Sequence, residues 1–168
     1  MRLFVAVWPP PDVVAALRAL PRPAVPGLRW TTEDQWHVTL RFLGEADEAA
    51  ARAALATVAF DARPVAVVGP AVGRFGDGVL HVPVDGLDEL AEAVVRATGA
   101  VGVPPPRRPF RGHLTLARAN RGRAPLRGLV GTPLGGRWEV GELTLVTSRL
   151  HPRGSQYAVV ERLPLPTR

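Results

Sequence analysis

The chain reads as short apolar runs broken by proline and glycine, with a few longer segments rich in alanine and leucine. Leu3 to Trp8 is β-rich and predicts a strand, closed by Pro9, Pro10 and Pro11. Asp12 is a suitable N-cap for a short helix over Val13 to Leu20. Pro21, Pro23 and Pro26 then hold an extended loop. A strand is expected over Trp36 to Leu43, stopped by Gly44, and a helix over Ala46 to Val58. Two strands follow, at Arg63 to Val72 and Val79 to Val84, joined by a glycine-rich turn at Gly73 to Gly78. Leu87 to Gly99 predicts the third helix, and the proline-rich stretch Val103 to Pro109 an irregular connection. His113 to Arg118 predicts a strand, then a basic loop and a short helix near Leu126. Trp138 to Ser148 and Tyr157 to Leu163 predict the closing strands, separated by a turn at Pro152-Arg153-Gly154. Strands and helices mixed in this way fit an α+β fold with antiparallel sheets. No glycine-rich dinucleotide fingerprint is present.

Within this pattern the tetrapeptide His-x-Thr-Leu occurs twice. His37-Val38-Thr39-Leu40 and His113-Leu114-Thr115-Leu116 each fall on a predicted strand, and they use two of the chain's four histidines. Residues i and i+2 of a strand share a face. His37, Thr39 and Arg41 should therefore line one face, with Val38, Leu40 and Phe42 anchoring the other. His113 and Thr115 should pair likewise, with Leu114 and Leu116 behind them. By the same alternation Arg118 belongs on the Leu116 face, and reaches the cleft only if the strand ends or twists first. Each strand offers an imidazole and a hydroxyl from a rigid support.

That combination suits phosphodiester cleavage. One imidazole takes a proton from the attacking oxygen, the other protonates the leaving oxygen, and the threonine hydroxyls bind phosphoryl oxygens. No metal or other cofactor is required by such chemistry, and no acidic cluster accompanies either histidine. Arg41 and Arg118 are candidate phosphate contacts, since the guanidinium fork matches phosphate. His81, on a strand, is read as a packing or surface histidine, and His151, beside Pro152, as solvent-exposed. Trp8, Trp30, Trp36 and Trp138 have the capacity to stack a base, although strand aromatics are usually core.

Composition narrows the field further. At 168 residues and 46% hydrophobic content the chain fits one domain, or two small lobes sharing one core. It has no cysteine, which removes disulfides, thiolate nucleophiles and cysteine zinc sites. It also has no lysine, so P-loop, Schiff-base and lysyl-nucleotide chemistry are excluded. The net charge is +6, and seven arginines without an acid fall between Arg107 and Arg127, bracketing His113. Such a field attracts polyanions. The N-terminal apolar run is too short for a signal peptide, and no segment approaches the ~18 apolar residues of a membrane span. A soluble, cytoplasmic protein is expected, with no obligate protein partner evident.

The paired motif resembles the two-histidine (2H) phosphoesterase superfamily, and within it the bacterial RNA 2',3'-cyclic phosphodiesterases, once called 2'-5' RNA ligases. Arg2-Leu3-Phe4-Val5-Ala6 is similar to the family's opening strand, and His37 to Glu45 to its first motif block. Pro109-Phe110 with His113 to Arg118 is similar to the second block, departing at Arg111-Gly112. Ser148-Arg149-Leu150, Gly154, Tyr157 and Pro164-Leu165 are similar to the closing strands. His81 stands where the family pattern suggests an aromatic residue. The resemblance implies one bilobal domain over residues 1–168, with two pseudo-symmetric lobes of antiparallel sheet and outer helices around a central cleft. It implies hydrolysis of a terminal RNA 2',3'-cyclic phosphate to a 2'-phosphate. His37 would be the proton donor, His113 the proton acceptor, and Thr39 and Thr115 the phosphate binders. The partner would be RNA with such an end, or a related nucleotide. Two alternatives remain open: an RNA-end or nucleotide-binding module without turnover, and a phosphodiesterase or ligase acting on 2'-5' linkages.

Overall fold

The computed structural model describes residues 1–167. Among these residues ten strands form two antiparallel sheets, and three helices pack behind them. The first sheet has the order β10-β9-β1-β3, from Gln156–Pro164, Glu142–Arg149, Arg2–Val7 and Val38–Glu45. The second has the order β2-β7-β6-β4-β8, from Leu28–Trp30, His113–Ala119, Val79–Asp85, Val65–Val68 and Gly136–Glu139. The short strand β5, Gly73–Phe75, pairs with β6 from outside that path. The α+β class and the antiparallel pairing expected from the sequence are both present.

One apolar core runs behind both sheets. Leu3, Val5 and Val7 of β1 and Leu143 and Leu145 of β9 meet Leu80, Val82 and Val84 of β6 and Leu114 of β7 in the same cluster. The helices α1 (Pro11–Arg18), α2 (Glu48–Leu55) and α3 (Asp88–Thr98) close it with Val13, Leu17, Leu55, Leu90 and Val94. A second, smaller cluster of Phe4, Ala6 and Val146, with Trp8 and Tyr157 packed on it, covers the opposite face of the first sheet.

Several expected boundaries move for local reasons. Asp12 does not cap α1; Pro10 does, and Pro11 opens the helix, where a missing N–H costs nothing. Asp12 sits instead in the first turn, favourably placed for the helix dipole. The Asp47 side chain accepts from the Ala50 N–H at 2.9 Å, so α2 starts two residues later than Ala46. Gly44 does not stop β3: it takes φ +67° and the strand continues to Glu45. The glycine-rich turn at Gly73 begins as strand β5, and the segment Trp138 to Ser148 is two strands, split before Glu142. Strand β2 was not expected from the sequence. The short helix near Leu126 is a single 3-10 turn at Arg127–Leu129.

Strand β2 matters because it joins the two halves. Leu28, Arg29 and Trp30 pair with Ala119, Arg118 and Ala117 of β7. The chain then continues along β7, with the Thr31 hydroxyl donating to the carbonyls of Thr115 and Leu116 at 2.8 and 2.9 Å. A 3-10 turn at Glu33–Gln35 carries it across to His37 and into β3 of the other sheet. One continuous segment thus ties the first motif to the strand of the second.

Candidate active site

Both motif histidines stand at the start of their strands and are held in the same way. Nδ1 of His37 lies 2.8 Å from the Gln35 carbonyl, and Nδ1 of His113 lies 2.7 Å from the Arg111 carbonyl. A carbonyl only accepts, so each Nδ1 carries the proton and donates. Each neutral ring then presents Nε2 as its free acceptor. In His37 that nitrogen is 2.9 Å from the Thr39 hydroxyl, which donates to it.

The carbonyls that orient the rings are themselves fixed. The Gln35 side chain accepts from the Thr32 N–H at 3.1 Å and donates to the Ser155 carbonyl at 2.8 Å. On the other side, Gly112 allows the chain to pass against β6. Its carbonyl accepts from the Val84 N–H at 2.8 Å, and a Cβ at Gly112 would lie 2.4 Å from the Val84 oxygen. Glycine is therefore required at position 112.

The two imidazoles differ in their surroundings. His37 is enclosed by aromatic rings, with centroids of Phe4, Tyr157 and Trp8 at 4.8, 5.1 and 5.2 Å. Trp8 is held there by its indole N–H, which donates to the Thr144 hydroxyl at 2.8 Å. His113 meets Phe75 edge-on at 4.9 Å and His81 at 5.5 Å. His81 is a packing residue, only 8% exposed, stacked on Phe75 at 3.9 Å and opposite Thr115 in the sheet. Its Nδ1 has no hydrogen-bond partner among the described residues. His151 is exposed, as expected. The packing reading of His81 holds. Sequence reasoning did not find Phe75 or Gln35, and it named Phe4, Trp8 and Tyr157 without placing them around His37.

Burial pushes His37 down to about 4, with the positive charges of Arg118 and His113 adding to it and the Gln35 carbonyl opposing. Burial also lowers His113, helped by Arg118 and Arg108 and opposed by the Arg111 carbonyl. His81 is lowered to about 4, first by burial and then by the charge of His113. The charge of Arg118 thus reaches both motif histidines.

The two arginines sit opposite to the simple strand alternation. In β3, Val5 pairs with Arg41 and Ala6 with Thr39, so Leu40 is an extra, unpaired residue. In β7, Leu80 pairs with Ala117 and His81 with Thr115, so Leu116 is the extra residue. Each motif therefore ends in a β-bulge, which reverses the facing of everything beyond it. Arg41 turns into the core side, 2% exposed, and its guanidinium donates to the carbonyls of Phe42, Val101 and Val103 at 2.9, 3.2 and 2.7 Å. The expectation that Arg41 shares the face of His37 is corrected by that bulge. Arg118 turns the other way, exposed and on the side of His113 and Thr115. His37 and Thr39 are joined by a hydrogen bond at the start of β3, Arg118 shares a side of β7 with His113 and Thr115, and Arg41 lies outside both groups.

The sequence profile of the 2'-5' RNA ligase superfamily matches residues 6–152. This chain belongs to that superfamily. An RNA 2',3'-cyclic phosphodiesterase of Thermus thermophilus is 31% identical, covering 98% of this chain and 90% of its own. The crystal structure of TT0787 from the same organism superposes with a TM-score of 0.81 at 31% identity, covering 98% of both chains. The crystal structure of E. coli LigT complexed with 3'-AMP gives a TM-score of 0.73 at 25% identity, covering 99% of this chain and 98% of that one. The superfamily match spans both His-x-Thr-Leu motifs.

Among the described residues no group of three or more His, Cys, Asp or Glu is placed to hold a metal ion. No helix among them is long and apolar enough to cross a membrane.

Proposed function

We propose that the chain acts as one bilobal unit and hydrolyses the terminal 2',3'-cyclic phosphate of RNA to a 2'-phosphate, by acid–base catalysis between His37 and His113. The observation that carries this reading is the matched pair of imidazoles. Each is fixed through Nδ1 to the carbonyl two residues earlier, each has its Nε2 clear of the backbone, and both feel Arg118. The relatives named RNA 2',3'-cyclic phosphodiesterase and the 3'-AMP complex of E. coli LigT support the substrate class.

In this mechanism His113 accepts a proton from water as the water oxygen bonds to phosphorus. The bond from phosphorus to O3' breaks, and protonated His37 delivers its proton to that oxygen. A 2'-phosphomonoester and a free 3'-hydroxyl result, and solvent returns the proton from His113 to His37. Thr39, Thr115 and Arg118 donate to the non-bridging oxygens, where charge builds in the transition state. The Thr39 hydroxyl donates to His37 Nε2, the nitrogen that must be protonated to act as the acid. An arriving phosphate draws that hydroxyl away, and its negative charge raises the imidazole. Substrate binding therefore promotes protonation of the acid.

RNA bearing a 2',3'-cyclic end, followed by 31P NMR, should lose the cyclic resonance and gain that of a 2'-phosphomonoester. Appearance of a 3'-phosphomonoester would reverse the choice of leaving oxygen. An RNA that binds and stays closed would favour an end-binding module, and cleavage of a 2'-5' dinucleotide alone would move the substrate assignment.

The pH dependence follows from the two lowered imidazoles. The free protein holds both neutral at pH 7, so the acid form thins about tenfold per pH unit above its pKa. Both limbs of the kcat/KM profile should lie below the ordinary imidazole value of about 6.5, and they belong to the pair. The descending limb of kcat should lie at higher pH, because bound phosphate stabilises the protonated ring. A kcat/KM profile centred above neutrality would contradict the assignment.

A further inference from the structure

Arg29 and Arg118 lie directly opposite each other on β2 and β7. Like charges in that position repel, and among the described residues neither arginine has a carboxylate within ion-pair distance. The pair therefore stands ready for an anion. Both side chains are exposed, and the bulge at Leu116 places Arg118 on the histidine side of β7. Arg29 lies beside it on the neighbouring strand. A Cβ on Gly154 would lie 3.1 Å from the Gln35 amide nitrogen and 3.6 Å from the Arg29 guanidinium carbon. The two groups are thus neighbours across the β9–β10 loop, and Gln35 is the residue whose carbonyl holds His37.

We propose that Arg29, next to Arg118, forms a second phosphate subsite that binds the phosphodiester preceding the reacting end of the RNA strand. The proposal rests on the phosphodiesterase reading and adds a substrate preference to it. Arg118 projects from the histidine side of β7 and so is placed to reach the reacting phosphate. A guanidinium beside it then meets the next phosphate along the strand, where the fork geometry suits two phosphoryl oxygens. A mononucleotide 2',3'-cyclic phosphate has no second phosphate and leaves Arg29 unused. The chain should prefer oligonucleotide ends to mononucleotides on charge alone, without reading the base.

The test compares a nucleoside 2',3'-cyclic phosphate with a trinucleotide carrying the same end, using the wild type, Arg29→Ala and Arg29→Lys. The wild type should favour the trinucleotide by about tenfold in kcat/KM, and Arg29→Ala should remove most of that preference while the mononucleotide rate stays within about twofold. The salt dependence on the trinucleotide should flatten by about 0.7 in log–log slope in Arg29→Ala and recover in Arg29→Lys. Equal losses on both substrates, or a wild type without preference, would overturn the subsite. Binding of a trinucleotide 3'-phosphate against a nucleoside 3'-phosphate, read by calorimetry, needs no turnover. If the wild type opens neither cyclic substrate, the phosphodiesterase reading fails, and this comparison still decides the subsite: loss of the trinucleotide advantage in Arg29→Ala supports it, and an unchanged ratio refutes it.

Discussion

Replacing either His37 or His113 with alanine should lower kcat on a 2',3'-cyclic phosphate by about 10²–10⁴, the usual worth of one general acid or base. The double replacement should cost far less than the product of the two, because each proton transfer needs the other group in place. Binding of a nucleotide should change little, since Thr39, Thr115 and Arg118 remain. The two sites should differ in stability. His37 fills a nest of Phe4, Trp8 and Tyr157, so its removal leaves a cavity among aromatic rings. His113 makes two ring contacts, to Phe75 and His81. The His37 variant should therefore melt at the lower temperature. Thermal denaturation beside single-turnover kinetics separates the effects. Activity within tenfold of the wild type in either folded variant would remove that histidine from the chemistry.

Arg41 and Arg118 should give opposite results when each is replaced by alanine. Loss of Arg41 strands the carbonyls of Phe42, Val101 and Val103 and empties a buried site. The expected cost is about 2–4 kcal/mol of folding stability, with kcat/KM of the folded protein nearly unchanged. The segment it holds has little slack, because the Val103 N–H donates to the Leu43 carbonyl at 2.8 Å and a Cβ at Gly102 would lie 2.0 Å from that oxygen. Loss of Arg118 should barely alter the melting temperature, since it is exposed and has no ion pair among the described residues. It should lower kcat/KM by about one to two orders of magnitude, through lost charge at the phosphate. It should also raise both motif histidines toward the ordinary imidazole value, moving the pH profile upward. Denaturant titration and pH–rate profiles on both variants check the contrast. A catalytic defect confined to Arg41→Ala would reverse the assignment.

The motifs were legible because their chemistry is local. A histidine and a threonine two residues apart on a strand share a face, and that relation survives in both copies. The core was legible in the same way, from Leu3, Val5 and Val7 in β1 to Leu90 and Val94 in α3. Strand β2 escaped because three residues after a proline-rich loop carry too little pattern, and their pairing with β7 supplies the stability. The arginines escaped for another reason. Alternation extends a face only while the ladder is regular, and a bulge leaves no mark in composition or period.

From its residues alone, this chain determines the α+β class, the two His-x-Thr-Leu half-sites and a positive field around the second. Those properties depend on neighbours along the chain or on the kinds of residue present. The tertiary structure alone decides which arginine faces the histidines, which aromatic rings enclose His37, and how far burial lowers both imidazoles. Each of these depends on strands distant in sequence: the pairing partner sets the bulge, and the packed elements set the exclusion of water.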